Sequence, residues 1–162
     1  MFIPFKDLPD SSRIWIYQSN RELNEDEVNE IKKFAENFVG EWTAHQQTLH
    51  AGFEIFHNIF LILSVDENRN DASGCSIDKS VHFIRQLESH FKISLFDRFN
   101  IAFRNEDKVE VKTLNDFLKI YKDKKLTNRL PVFNNLLFTK ADLKTKWEIP
   151  LNESWVKLRV KN

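Results

Sequence analysis

Ser73-Gly74-Cys75-Ser76-Ile77-Asp78-Lys79-Ser80-Val81 joins the most apolar run of the chain, residues 59–65, to its strongest amphipathic helix, expected over about residues 77–91. The junction leads from an apolar run into an amphipathic helix, and the sequence as a whole supports a globular α+β domain with its one candidate site here. The stretch also holds the single cysteine and one of three glycines.

In the helix, Ile77, Val81, Ile84, Leu87 and Phe91 recur at helical spacing and predict the core face. Asp78, His82 and Arg85 fall on the wet side. Upstream, Phe53 to Val65 predicts two strands, over 52–56 and 59–65, turning at His57-Asn58; that pair is a weak hairpin signal, so one long bent strand is the alternative. Residues 42–50 carry no decisive pattern. An earlier helix is announced by Asn24 with Glu27 three residues on, a capping box using Asn. Its stripe is Val28, Ile31, Phe34, Ala35, Phe38 and Val39, and Gly40 is the expected stop. Residues 12–17 alternate with bulk on both faces, which predicts an inner strand.

Downstream, Phe99, Ile101 and Phe103, then Val109 and Val111, alternate about a turn and predict a hairpin. Thr113 with Asp116 can cap a third helix, residues 132–138 predict a strand interrupted at Asn134-Asn135, and Thr139 can open a short helix carrying Leu143 and Trp147 and ended by Pro150. Val156, Leu158 and Val160 predict a closing strand. The early order, strand–helix–strand–strand–helix–strand, is that of a ferredoxin-like core, which the later elements would extend. The expected architecture is thus a mixed or antiparallel sheet with helices packed on one face, and Phe34, Phe38, Ile84 and Leu87 buried between them.

Composition bounds the class. The chain has 162 residues, 41% apolar, with fifteen Phe and four Trp, enough to build one core; three Gly and four Pro leave little for linkers, so one domain over 1–162 is expected. Equal numbers of acidic and basic residues give no global pull toward nucleic acid or anionic membrane. Lys119, Lys122, Lys124, Lys125 and Arg129 cluster around Tyr121 and read as a solvated helix end rather than a nucleic-acid surface. One cysteine cannot form an internal disulfide, which points to a reducing compartment. No basic leader precedes an apolar core at the N-terminus, and the run 59–63 is far shorter than the ~20 residues of a membrane helix. A cytoplasmic protein is the expectation.

Several pieces of the chain occur together in one order: residues 12–21 (SRIWIYQSNR), Trp42-Thr43-Ala44-His45, residues 73–81 (SGCSIDKSV) and Ser154-Trp155. With these the chain resembles, over most of its length, a family of small uncharacterised bacterial proteins commonly labelled "ABC transporter ATPase". The resemblance implies no site residues. The label itself conflicts with the residues. A P-loop needs Gly-x4-Gly-Lys-Ser/Thr so that backbone N–H groups and a lysine surround a phosphate. Gly40, Gly52 and Gly74 have neither that spacing nor a following lysine, and a Gly-x-Gly-x-x-Gly dinucleotide fingerprint is equally impossible. No cofactor is indicated.

The remaining chemistry centres on Cys75. In a first helical turn, free N–H groups and the helix dipole favour a thiolate. His45 or His82 could act as base; Lys79 or Arg13 could add positive charge, and Asp78 would oppose it. Read as an enzyme or redox-responsive protein, the chain has Cys75, His45 and Asp78 as its catalytic set. The same region, with Ser73, Gly74, Ser76, Lys79 and Arg13, could instead hold a small anionic ligand. The plainer reading makes Cys75 a small, half-buried residue of a helix start capped by Ser73 or Ser76. The five histidines lack zinc-type spacings, so no metal site is expected. Asp66, after the apolar strand, is ordinary turn chemistry as readily as an acid position. A non-catalytic binding or interaction protein, with a protein partner or a small anion, is the leading expectation and the Cys75 enzyme the alternative.

Overall fold

The computed structural model describes residues 1–124 and 126–160, without the side chain of Lys124, so Lys125 and the Lys124 side chain of the basic cluster lie outside the described residues. The described chain is α+β. Strands β1 (Arg13–Gln18), β2 (Thr43–Ala44), β3 (Gln47–Thr48), β4 (Ala51–Phe56), β5 (Phe60–Val65), β6 (Asn100–Asn105), β7 (Lys108–Thr113), β8 (Pro131–Phe133) and β9 (Glu148–Pro150) combine with helices α1 (Glu25–Glu41), α2 (Gly74–Phe91), α3 (Leu114–Lys124) and α4 (Asp142–Thr145).

Three antiparallel sheets form, ordered β1-β5-β4, β2-β3 and β7-β6-β8-β9. In the first, β1 and β4 both run antiparallel to β5 and so lie parallel to each other with α1 as their crossover. That is the first half of a ferredoxin-like core. The second half is not built: β6, expected to return beside β1, pairs with β7 and β8 in another sheet. The outer edge of β1 instead meets the segment around residue 138, where Ile14 N–H donates to the Phe138 carbonyl at 2.9 Å. The inner strand is therefore β5, buried at all six positions, and not β1. Bulk on both faces of β1 reflects coverage of both sheet faces, which a strand at the end of the order shares with a central one.

The layers follow from the alternation. Tyr17, Phe53, Leu61, Leu63 and Val65 point to α1 and α2, joining Ile31, Ala35, Val39, Ile84 and Leu87. Ile14, Phe60 and Ile62 point the other way, against Phe5 near the N-terminus and against Ala102, Phe133 and Trp147 in the layer of the four-stranded sheet. The far face of that sheet, through Ile101, Phe103 and Val132, packs on Phe117 of α3. The first sheet thus has helices on one face, as the sequence predicts, and a second sheet on the other, which it does not.

Local chemistry explains most boundaries. Asn24 caps α1 by accepting the Glu27 N–H at 2.9 Å. Gly40 does not stop the helix; α1 runs through it to Glu41, and no described glycine has positive φ. His57 and Asn58 both adopt φ of 54°, and Ile59 N–H bonds the Phe56 carbonyl, so the weak pair does close a hairpin. His45 and Gln46 turn β2 into β3 in the same left-handed region. Thr113 Oγ1 accepts the Asp116 N–H at the start of α3.

The C-terminal expectations fare less well. Strand β8 ends at Phe133, where Asn134 Oδ1 accepts the Leu136 N–H in a local turn and the Asn135 side chain donates to Gln18 and accepts from Trp147 Nε1. Trp147 lies beyond the short α4, and Pro150 ends β9 rather than a helix. The expected closing strand is a 3-10 turn, Trp155–Leu158, because the Ser154 hydroxyl accepts the Val156 N–H and starts a turn; only Val156 is buried, and Leu158 is 74% exposed.

Candidate functional site

Helices α1 and α2 lie antiparallel across the sheet, as their contacts show: Glu30 meets His90 at one end, Phe38 meets Phe83 in the middle, and Trp42 meets Ser76 at the other. Between them runs an open groove of about 770 Å³. Phe34 and Phe38, at i and i+4 on α1, give it an aromatic wall that ends at the buried C-cap residue Trp42, 1% exposed, and Phe83 of α2 stacks flat on Phe38 at 4.4 Å. Polar side chains rim it, among them Glu41 from α1 and Asp78, Lys79 and His82 from α2, with Cys75 also on its lining.

The groove exists because each helix buries a different stripe than aromatic content suggests. On α1 the residues pressed onto the sheet are Val28, Ile31, Ala35 and Val39. Phe34, expected in the core, is 38% exposed, and Phe38 is only half-buried; both lie one step around the helix toward α2. On α2 the buried stripe is Ser76, Ser80, Phe83, Ile84 and Leu87, so Ile84 and Leu87 are placed as expected while Ile77, Val81 and Phe91 move to its flank. Ser76 and Ser80 satisfy their hydroxyls on carbonyls one turn back, at 2.7 and 2.6 Å.

Helix α2 begins at Gly74, three residues earlier than expected, with Ser73 as cap: its hydroxyl accepts the Ser76 N–H at 3.1 Å. Cys75 is therefore inside the first turn, and it is exposed rather than half-buried. Gly74 makes no sharp bend; it is an ordinary first-turn residue with open space around it.

The sequence-derived site residues divide accordingly. Cys75, Asp78 and Lys79 come together on the groove. Ser73 and Ser76 are spent on each other as an internal cap, and Lys79 Nζ donates to Thr43 Oγ1 at 3.2 Å. His45 sits exposed in the β2–β3 turn, outside the groove lining, and Arg13 is held elsewhere. Its guanidinium lies between the rings of Trp15 (4.6 Å) and Phe138 (4.9 Å) and pairs with Glu67 at 3.6 Å. Sequence reasoning missed Trp42 as a groove residue; its indole N–H donates to the Ser76 carbonyl at 2.8 Å and joins the two helices. The signal available was the spacing 34, 38, 42.

Among the described residues no group of three His, Cys, Asp or Glu is arranged to hold a metal ion, and no described helix is long and apolar enough to cross a membrane. In comparisons with known proteins, no family model, no curated protein and no solved structure matches the chain. The fold and groove define an α+β domain with an aromatic interhelical cleft, and function must be argued from that cleft.

Proposed function

We propose that the chain is a non-catalytic binding protein and that the α1–α2 groove receives its ligand. The observation that carries this is the aromatic wall: Phe34 leaves 38% of its surface in water, while the smaller Val28, Ile31, Ala35 and Val39 are the α1 residues buried on the sheet. Covering such rings with an apolar partner gains ~25 cal/mol per Å² of surface removed from water. The free thiol suits a reducing compartment and supports a cytoplasmic place of action. The glycine spacing argues against ATP hydrolysis.

A second reading, Cys75 as a nucleophile or redox-responsive thiol, draws on its exposure in the first turn of α2. It is the weaker reading, because His45, the expected base, does not line the groove.

The test is titration with Nile red, a neutral solvatochromic dye. Binding of one dye per chain should saturate and should weaken at least tenfold in Phe34→Ser. Emission that never saturates, or a Phe34→Ser variant that binds as well as the parent, would overturn it.

A further inference from the structure

We infer that the occupant of this groove is a basic amphipathic helix of a protein partner; the inference rests on the binding function proposed above and names its ligand. Three observations lead there.

The first is shape. Phe34 and Phe38 lie one turn apart on α1, about 6 Å at the ~1.5 Å rise of an α-helix, and the buried C-cap residue Trp42 closes the groove beyond them. A line of apolar side chains at helical pitch, running between two antiparallel helices, is the complement of another helix presenting anchors at i, i+4 and i+7. A third helix laid there would complete a layer that now has an open seam.

The second is charge. The whole chain is neutral, yet α1 carries six acidic residues against two lysines, while α2 balances two acids with two bases. Of the α1 acids Glu41 lines the groove, while Glu27 and Glu30 are paired outside it with Arg21 and His90.

The third is the state of the rim carboxylates. Glu41 on one wall and Asp78 on the other are exposed, and among the described residues neither forms an ion pair or a side-chain hydrogen bond. The one lysine on the rim, Lys79, is engaged with Thr43 rather than with either. Two unpartnered carboxylates flanking an aromatic trough favour lysine or arginine residues beside apolar anchors, and disfavour an acidic helix by like-charge contact.

The experiment uses two 18-residue model peptides with leucine at i, i+3, i+4 and i+7 spacing, one filled with lysine and the other with glutamate. Binding to the unlabelled full chain is read by isothermal titration calorimetry. The lysine peptide should bind one to one and at least tenfold more tightly than the glutamate peptide. The double variant Glu41→Lys with Asp78→Lys should abolish or reverse that preference, whereas Glu22→Lys with Glu153→Lys, which alters acids outside the groove lining by the same charge, should leave it in place. Phe34→Ser should weaken the lysine peptide at least tenfold. Equal affinity for the two peptides, or loss of preference in the Glu22 and Glu153 variant, would overturn the inference. If Nile red still saturates the groove in that case, the binding function stands and only the helical, basic occupant falls. A chain that dimerises at micromolar concentration through this groove, so that dye binding is lost on dimerisation, would also overturn it in favour of a second copy.

Discussion

The indole N–H of Trp42 donates a buried 2.8 Å hydrogen bond to the main-chain carbonyl of Ser76, fixing the C-terminal end of α1 against the first turn of α2. The bond sets the width of the groove at its Cys75 end. Trp42→Phe keeps most of the ring but removes the donor, and loss of a buried partner costs about 1–3 kcal/mol. Urea melts should show a loss in that range; a loss below about 0.5 kcal/mol would mean the bond contributes nothing to holding the helices.

The core and the groove wall should respond differently to truncation. Leu87 is 2% exposed against the sheet, so Leu87→Ala should destabilise by about 2–5 kcal/mol in denaturant melts. Phe34→Ser, on the groove, should change stability by less than about 1 kcal/mol while reducing ligand binding. Equal destabilisation by the two would place Phe34 in the core.

The glycines should separate as well. A Cβ on Gly52 would meet the Ile3 carbonyl at 2.2 Å, so Gly52→Ala should displace the N-terminal segment that bonds to Ala51 and lower stability. Gly40 lies within α1 with nothing within 4 Å of an added Cβ, and Gly40→Ala should stabilise by roughly 0.5–1 kcal/mol. Thermal melts of the two variants should move in opposite directions.

His57 gives the fold an acid limb. Its ring, though at an exposed turn, packs beside Phe133 at 5.6 Å and Trp147 at 6.0 Å. Loss of hydration there, followed by the nearby Arg104 guanidinium, holds its pKa below the ordinary 6.5, while Glu148 acts in the opposite direction. The unfolded chain takes up this proton first, so stability is full above about pH 6.5 and falls as pH drops from there through the lower folded value. His57→Gln should flatten that part of the stability–pH profile; an unchanged slope between pH 6.5 and 5 would contradict the assignment.

The legible part of the fold was carried by local chemistry. Asn24 with Glu27, Thr113 with Asp116 and the apolar run of β5 were readable because each acts within one turn or one strand. The register of α2 was not, since two of its buried positions, Ser76 and Ser80, are polar and bond their own helix, which an apolar stripe cannot reveal. Asn134-Asn135 read as an interruption, but its partners Gln18 and Trp147 are set by tertiary packing. Cys75, Asp78 and Lys79, singled out from one helix start, lie together on the groove lining. The groove itself was not legible, because it belongs to two helices, and Phe34 and Phe38 look like core residues until the smaller stripe beside them is seen to fill the sheet face.

Cys75 offers the most direct measurement. It lines the groove and is exposed, so a bound ligand should cover it. The rate of alkylation of this single thiol by an uncharged reagent, measured with and without saturating Nile red, reads groove occupancy without any variant of the wall. Saturation should slow alkylation at least fivefold, and the rate should recover when the dye is removed. A rate unchanged at full dye saturation would contradict it, placing the bound dye elsewhere on the protein and leaving the groove without a binding role.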